Sequence, residues 1–252
     1  MAQYIYGKHA IKEHLLKKQP VQALLLADGL KDQEIVKLAK EQGILVEYVS
    51  RTRLDQLIKG VHQGMAALVA EIPLLTLDEL LSKQPEDTDG LLVLLDGIED
   101  PRNLGAILRV ADGAGANGVI IPKHRASPLT PEAIKSAAGA AESVPVATVT
   151  NLTQAIQSLK DKGYWVVGAS GEGSEDYRSF DVKRPLVVVI GNEGKGISRL
   201  VAKQCDWLVS LPMRGQVSSL NASVACGILL YSILDRRFPL AGGKWNEVSR
   251  KQ

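Results

Sequence analysis

The sequence predicts an α/β protein, and three observations lead to that class. Short apolar runs of strand length alternate with amphipathic segments of helix length along the chain. Two of these runs, Leu91–Leu95 and Leu186–Ile190, are continuously apolar, which is typical of parallel strands that are covered on both faces. Hydrophobic residues make up 45% of the 252 residues and charged residues 23%, a globular balance that excludes disorder as the main state.

An acidic stretch that contains prolines divides the chain. Residues 73–92 carry a single basic side chain, Lys83, against the acidic side chains Asp78, Glu79, Glu86, Asp87 and Asp89. Prolines and like charges at this density are typical of a connection between folded units. We therefore expect a first unit over residues 1–72, a linker over 73–90 and a second unit over 91–252.

In the first unit, three helices alternate with three strands. The expected helices are Gly7–Lys18, Asp32–Gln42 and Arg51–Lys59, and the expected strands are Val21–Leu26, Ile44–Val49 and Met65–Glu71. Together they form a small α/β sandwich with about the minimum core for independent folding. Inside the linker, Thr76 is expected to cap a short helix over Leu74–Leu81.

In the second unit, strands and helices also alternate. The expected strands are Leu91–Leu95, Gly118–Ile121, Val144–Val149, Tyr164–Ala169, Leu186–Ile190 and Trp207–Leu211. The expected helices are Asn103–Ala114, Pro131–Ala138, Thr153–Lys162, Gly196–Lys203 and Asn221–Arg236. Right-handed crossovers then give a mostly parallel sheet, with ligands expected beyond the carboxyl ends of its strands.

Composition and targeting signals exclude several classes of protein. A net charge of +2 and an aromatic content of 4% exclude a strongly basic nucleic-acid binder and a surface of base-stacking rings. Cys205 and Cys226 form neither a metal-ligand pattern nor a disulfide framework, so free thiols are expected. The amino terminus lacks the order of a signal peptide, and no apolar run reaches the about 18 residues of a membrane helix, so we expect a cytoplasmic protein.

Two glycine-rich segments resemble nucleotide-binding motifs. Gly113–Gly118 matches G-x-G-x-x-G, but it closes a helix instead of following a strand, which argues against a dinucleotide site; Gly115 or Gly118 is expected to end that helix. In Gly191–Ser198, Ile197 stands where a phosphate-binding loop has lysine. That segment is either a tight turn or a loop whose backbone a ligand approaches closely.

Three loops after predicted strands combine glycines with polar side chains. Asn103 could cap the helix of the first loop, and Ser219 or Asn221 could cap the final helix. Arg109 interrupts an apolar helical stretch and therefore needs a partner or an anionic ligand. The three loops span Asp96–Arg109, Gly191–Gly194 and Leu211–Ser223.

The motifs D-x-x-x-D-P-x-N-x-G-x-x-x-R, I-G-N-E-G-x-G and L-P-M-x-G-x-x-x-S-L-N-x-S closely resemble those of SpoU (TrmH) type RNA 2′-O-ribose methyltransferases, over about residues 91–237. The first 72 residues, opening with Y-G-x-H-A-I, resemble the substrate-binding domain of longer members, which is akin to a ribosomal large-subunit protein. The nearest subgroup is the RlmB-like enzymes, which methylate a guanosine in 23S rRNA.

This resemblance implies an S-adenosylmethionine-dependent enzyme of the SPOUT type, with a deep trefoil knot that forms the cofactor pocket and with a homodimeric assembly. No metal is implied. The positions that match cofactor-binding residues are Gly191, Leu211, Met213, Ser219 and Leu220. Those that match the family's active site are Asn103, Arg109, Glu193, Ser219 and Asn221. Ala222 stands where many members have valine, which we interpret as a packing difference.

The resemblance also implies a role for Arg109 in drawing the proton from the ribose hydroxyl. A guanidinium is essentially never deprotonated in proteins, however. We therefore hypothesise that Arg109 clamps an RNA phosphate and stabilises developing alkoxide charge. Asn103 would orient Arg109, and Glu193 would position either Arg109 or the ribose.

Other residues and other functions remain open on the sequence alone. Solvated or capping roles are expected for His9, His14 and His62. Possible RNA contacts are Lys8, Lys12, Lys17 and Lys18 beside the first helix, for which an ordinary solvated face is equally consistent, and Lys123, His124 and Arg125 after a strand. Alternative functions are a tRNA D-loop guanosine methyltransferase, a noncatalytic RNA-binding factor of ribosome assembly and, with least support, a nicotinamide-dependent oxidoreductase.

Overall fold

A computed structural model describes residues 3–16, 21–69, 72–84, 89–171 and 175–239. The chain divides into two compact units, Met1–Ile72 and Pro73–Gln252. The described part of the expected linker falls in the second of these units.

The first unit is a four-stranded mixed sheet with helices on both faces. Its elements are β1 (Gln3–Tyr6), α1 (Lys8–Leu16), β2 (Val21–Ala27), α2 (Gln33–Glu41), β3 (Leu45–Val49), α3 (Arg51–Leu57) and β4 (Met65–Val69). The strand order is β1-β4-β2-β3, with β2 parallel to β3 and β4 antiparallel to both of its neighbours. Helices α1 and α2 pack on one face, and α3 packs on the other. Strand β1, which has four residues, was not predicted.

Polar residues of this unit differ in part from expectation. His62 is buried, not solvated: its Nε2 lies 2.8 Å from Asp55 Oδ1, and its Nδ1 accepts a hydrogen bond from the Gly64 N–H. His9 is exposed. Lys8 pairs with Asp32 at 2.7 Å and Lys12 with Glu34 at 2.5 Å, so both lysines of helix α1 form ion pairs within their own unit. Lys17 and Lys18 lie outside the described residues.

The second unit is built around an eight-stranded sheet. Its strands are β5 (Leu74–Leu75), β6 (Leu91–Asp96), β7 (Gly118–Pro122), β8 (Val146–Val149), β9 (Trp165–Ala169), β10 (Glu175–Asp176), β11 (Leu186–Gly191) and β12 (Trp207–Ser210). Every pairing is parallel, in the order β10-β12-β9-β11-β6-β7-β8-β5. This confirms the predicted α/β class and the parallel sheet.

Helices cover both faces of this sheet. They are α4 (Leu77–Ser82), α5 (Pro101–Gly113), α6 (Pro131–Ala137), α7 (Ala140–Ser143), α8 (Leu152–Asp161), α9 (Arg199–Ala202) and α10 (Ala222–Arg237). Buried residues of α4, α8 and α9 share one core cluster with alternate residues of the central strands. Helix α5 packs against α6, α7 and α10 instead, and α10 contacts β11. The central strands are thus covered on both sides, as their continuous apolar sequences predicted.

Local details correct several boundaries. Asp100, not Asn103, caps α5, because its side chain accepts from the Arg102 N–H and Pro101 begins the helix. Gly115 follows the end of that helix with a φ of +71°, as a C-terminal glycine does, whereas Gly118 lies within a strand. Thr76 caps α4 in a capping box with Glu79. Helix α9 is shorter than predicted, and neither α7 nor β10 was predicted.

Cys205 and Cys226 are free thiols, and burial raises the pKa of each to about 12. Among the residues that the structure describes, no helix is both long and apolar enough to cross a membrane. Within the same residues, no group of histidine, cysteine and acidic side chains could hold a metal ion.

Candidate active site

The three polar loops meet at the carboxyl edge of the second sheet. Strands β6 and β11 are neighbours whose last residues, Asp96 and Gly191, are paired across the ladder. Strand β12 lies one strand further away, on the other side of β9. The loops that follow β6, β11 and β12 therefore emerge from the same edge, where parallel α/β sheets bind ligands.

The loop after β11 folds back on itself, and Gly191 permits that turn. The Asn192 N–H donates to the Gly196 carbonyl at 3.0 Å, and the Gly196 N–H donates to the Asn192 carbonyl at 2.7 Å. A Cβ at Gly191 would lie 2.2 Å from the carbonyl carbon of Gly196 and 2.3 Å from the backbone nitrogen of Ile197. Only glycine fits there, and the closed turn places Glu193 near its tip.

Hydrogen bonds join this loop to the loop after β6. Asn192 Nδ2 donates to the Gly97 carbonyl at 2.9 Å, while Asn192 Oδ1 accepts from the Gly194 N–H. The Ser198 N–H donates to Asp96 Oδ2 at 2.7 Å. These contacts fix the first two motif loops relative to each other.

Asn103, Glu193 and Asn221 form a closed polar ring, with one residue from each motif. Asn103 Nδ2 donates to Glu193 Oε1 at 2.9 Å, and Asn221 Nδ2 donates both to Asn103 Oδ1 at 2.9 Å and to the same Glu193 oxygen. The Ala222 N–H also points at Glu193 Oε1, at 3.4 Å. The carboxylate therefore lies at the amino end of α10, where the helix dipole favours negative charge.

The ring leaves one carboxylate oxygen available. Every hydrogen bond of Glu193 within the described residues ends on Oε1, so Oε2 has no protein donor. Asn221 Oδ1, in contrast, caps α10 by accepting from the Ser223 N–H and from its hydroxyl. Asn221 thus combines the expected capping role with a role in the ring.

A pocket lies beside the ring, between the ends of β9, β11 and β12 and the loop that leads into α10. Its floor is apolar, and Glu193 is the one charged side chain among its described lining residues. Those residues are Ala169, Ser170, Gly171, Ile190, Gly191, Asn192, Glu193, Gly196, Val209, Leu211, Met213, Ser218, Ser219, Leu220, Ala222 and Ala225.

All five residues expected to bind the cofactor line this pocket: Gly191, Leu211, Met213, Ser219 and Leu220. Of the expected active-site residues, Glu193 and Ser219 line it, and Asn103 and Asn221 hold Glu193. The wall formed by Ala169, Ser170 and Gly171 was missed. These residues end β9, and nothing in the order of elements along the chain shows that β9 lies between β11 and β12.

Arg109 lies apart from the ring. It is exposed and makes neither a hydrogen bond nor an ion pair with any other residue of the described structure. Six residues along an α-helix correspond to about 9 Å of rise and about 240° of rotation. Arg109 therefore lies on a different side of α5 from Asn103, whose side chain bonds Glu193 and Asn221 in this structure and not Arg109.

An all-parallel α/β unit with an apolar pocket at its carboxyl edge and a fixed carboxylate in the lining is typical of ligand-binding α/β proteins. Comparison with protein families identifies two families that match the chain. Residues 90–231 match the SpoU rRNA Methylase family, and residues 4–74 match the family of RNA 2′-O ribose methyltransferase substrate-binding domains.

Known relatives and solved structures agree with these matches. The chain is 44% identical over 241 residues to YacO of Bacillus subtilis, which is assigned to the TrmH family tRNA/rRNA methyltransferases; the match covers 94% of this chain and 97% of YacO. A family counterpart in Staphylococcus aureus is 45% identical over 92% of this chain and 96% of its own.

Among solved structures, the SpoU methyltransferase AviRb of Streptomyces viridochromogenes, in complex with AdoMet, superposes with a TM-score of 0.71 at 29% identity. The match covers 94% of this chain and 90% of AviRb. The chain therefore belongs to the SpoU family of RNA methyltransferases.

Proposed function

We propose that this protein transfers a methyl group from S-adenosylmethionine to the ribose 2′-hydroxyl of a guanosine in 23S rRNA. The observation that carries the proposal is the Asn103–Glu193–Asn221 ring beside an apolar pocket. The match of residues 4–74 to a substrate-binding domain of RNA 2′-O ribose methyltransferases favours rRNA over the D-loop of tRNA. Members that act on the D-loop typically lack such a domain.

The pocket beside the ring suits S-adenosylmethionine in three respects. Leu211, Leu220 and Val209 offer apolar surface to an adenine ring. Backbone groups at the ends of three strands are available to its polar edge. No cation stands among the described lining residues, so no positive side chain there opposes the sulfonium. The cofactor supplies an activated methyl group, and the protein supplies the position and electrostatics of the acceptor.

The residue roles follow from the ring. Asn103 and Asn221 fix the Glu193 carboxylate by saturating Oε1, which leaves Oε2 to accept a hydrogen bond from the ribose 2′-hydroxyl. That bond orients the hydroxyl oxygen and increases its nucleophilicity as its proton is drawn away. Holding the oxygen about 3–3.5 Å from the carbon it attacks lowers the barrier further.

Arg109 acts in this proposal from the second subunit of a homodimer. Helix α10, which packs against α5, exposes Val224, Ile228 and Tyr231 on one side at spacings of four and three residues. Such an apolar stripe suits a subunit interface. An interface there carries the unpaired Arg109 to the partner's ring, where it stabilises the developing alkoxide and an RNA phosphate. A trefoil knot in residues 186–237 is part of the same proposal.

The test combines methyl transfer with mapping of the modified nucleotide. The purified protein is incubated with radiolabelled S-adenosylmethionine and either 23S rRNA or tRNA from cells that lack this protein. We expect label in 23S rRNA only, at a single 2′-O-methylated guanosine. Label in tRNA with none in rRNA would contradict the proposal and support the alternative substrate, the D-loop of tRNA. Cofactor binding without transfer to either RNA would favour a noncatalytic factor.

A further inference from the structure

A second cavity opens at the same edge of the sheet, outside the pocket and ring. Its volume is about 650 Å³, and it extends along the ends of β6, β7, β8 and β11 to the start of α8. It shares Asn192 with the pocket described above, and Gly97, which accepts a hydrogen bond from Asn192, also lines it. Its volume falls within the range of ligand sites, about 300–1,000 Å³.

Two positive side chains reach this cavity from separate loops. Arg125 follows β7, beside His124, and Lys195 belongs to the folded loop after β11. All three are exposed, and none of their side chains bonds another described residue. Arginines elsewhere in this unit do bond carboxylates, as Arg102 does with Glu132 at 2.8 Å. The cavity therefore holds cations that the protein leaves unpaired.

The backbone of Arg125 has an uncommon conformation. Its φ is +57°, in the left-handed region that residues other than glycine seldom adopt. The amino end of α8 adds positive potential to the cavity. The Thr153 and Gln154 N–H groups at this helix end already donate to Asn151 Oδ1. An anion in the cavity would therefore be contacted by side chains.

The cavity is not uniformly positive, and its other residues define the kind of ligand that fits. Asp96 accepts a hydrogen bond from the Ser198 N–H, whereas Glu99 is an exposed carboxylate without a partner in the described residues. Leu200, which is 69% exposed, and Leu152 add apolar surface to the lining. A bare anion would use the cations alone. In a nucleotide, the phosphate would pair with the cations, the face of the base would pack on the leucines, and the N–H groups of the base would donate to Glu99.

We propose that this cavity binds a nucleotide of the RNA substrate next to the methylated one, with its phosphate on Arg125 and Lys195. The inference rests on the proposed function, because an RNA chain that places a ribose at Glu193 continues past Asn192 into this cavity. The substrate's phosphate backbone is thereby held on both sides of the reacting ribose. The contact sets the affinity of the protein for the RNA and the register in which the RNA lies.

The experiment measures binding of the intact protein to a 23S rRNA transcript at several salt concentrations, with methyl transfer to the same RNA in parallel. Arg125→Asn removes the charge with a residue that tolerates the left-handed backbone. Arg125→Lys retains the charge. Lys195→Gln removes the second cation. Lys162→Gln, at the far end of α8, is the matched control, since Lys162 is also exposed and lies outside the cavity.

We expect Arg125→Asn and Lys195→Gln each to raise the Kd for RNA about 3- to 10-fold. Each should also reduce the slope of log affinity against log salt concentration by the equivalent of about one phosphate contact. Arg125→Lys should lose less, and Lys162→Gln should match the wild type. In methyl-transfer assays, the KM for RNA should rise by about the same factor as the Kd in both cavity variants.

Unchanged affinity and salt slope in both cavity variants, or an equal loss in Lys162→Gln, would refute the cavity site. If methyl transfer by the wild type then proceeds normally, the proposed function stands without it. If the wild type transfers no methyl group but its RNA affinity depends on Arg125 and Lys195, the proposed function fails and the RNA site stands.

Discussion

Gly191 is the residue whose size the active site tolerates least. In Gly191→Ala, the new Cβ meets backbone atoms of Gly196 and Ile197 below 2.5 Å, so the turn that carries Glu193 must open. We expect S-adenosylmethionine affinity to fall at least about tenfold and stability to fall by about 1–3 kcal/mol. Calorimetric binding and thermal unfolding measure both quantities.

Gly171→Ala is the control for that substitution, because Gly171 lines the same pocket and its added Cβ has nothing within 4 Å. Equal behaviour of the two variants would mean that the turn at Gly191 does not shape the cofactor site.

Glu193 separates cofactor binding from turnover. Glu193→Gln can keep an oxygen towards Asn103 and Asn221, but it places an amide where Oε2 was and so removes the negative acceptor for the ribose hydroxyl. We expect kcat to fall about 100-fold or more, with a cofactor Kd within a few-fold of wild type. Single-turnover methyl transfer and calorimetry measure the two effects. A variant that retains near-normal turnover would exclude Glu193 as the acceptor.

Residue types drew attention to the loops of this site before any contact was known. Glycines and polar side chains after apolar strands marked the three loops, and the resemblance to SpoU methyltransferases then singled out Gly191, Glu193 and Asn221 within them. The partner of Asn103 could not be read in the same way. An asparagine at a helix start is compatible with capping, and only the folded chain shows that Asp100 caps α5 and frees Asn103 for Glu193.

At the scale of elements, the segment that joins the two units behaves as part of the second. Strand β5 pairs with β8, and the fully buried Leu80 of α4 packs beside Gly118, where an added Cβ would meet its Cδ1 at 2.6 Å. We expect Leu80→Ala to reduce the free energy of unfolding by about 2–5 kcal/mol. Leu74→Ala, at a 46% exposed position of the same segment, should cost far less. Denaturant unfolding compares the two variants.

Equal and small losses for Leu80→Ala and Leu74→Ala would restore the description of residues 73–90 as a linker. The prediction of a linker rested on charge and proline, and both are present. Among the described residues of this segment, the charged side chains are exposed while the leucines of α4 pack in the core, so composition alone described only the outer side of α4.

At the scale of the whole molecule, chain order predicts the alternation of elements but not their neighbours. The sequence predicted six strands of the second unit, and the structure contains all six. Their spatial order places β9 between β11 and β12, a choice made by long-range packing that no local pattern encodes. The pocket wall at Ala169–Gly171 was missed for that reason.

The exposed position of Arg109 on α5 suits an active site that a second subunit completes. We expect Arg109→Ala and Glu193→Gln homodimers each to be nearly inactive. Co-expressed and purified as a mixture, the two variants should recover about a quarter of wild-type turnover, since half of the dimers then hold one site with both residues intact. Methyl transfer per protomer measures the recovery.

Co-expression of Asn103→Ala with Glu193→Gln provides the control, because both residues belong to one ring within a single chain, so every site of that mixture lacks one of them. Recovery in the first mixture and none in the second requires Arg109 to cross the interface. No recovery in either, with dimers demonstrated by ultracentrifugation, would place Arg109 in the site of its own chain and would require α5 or the ring to rearrange when RNA binds.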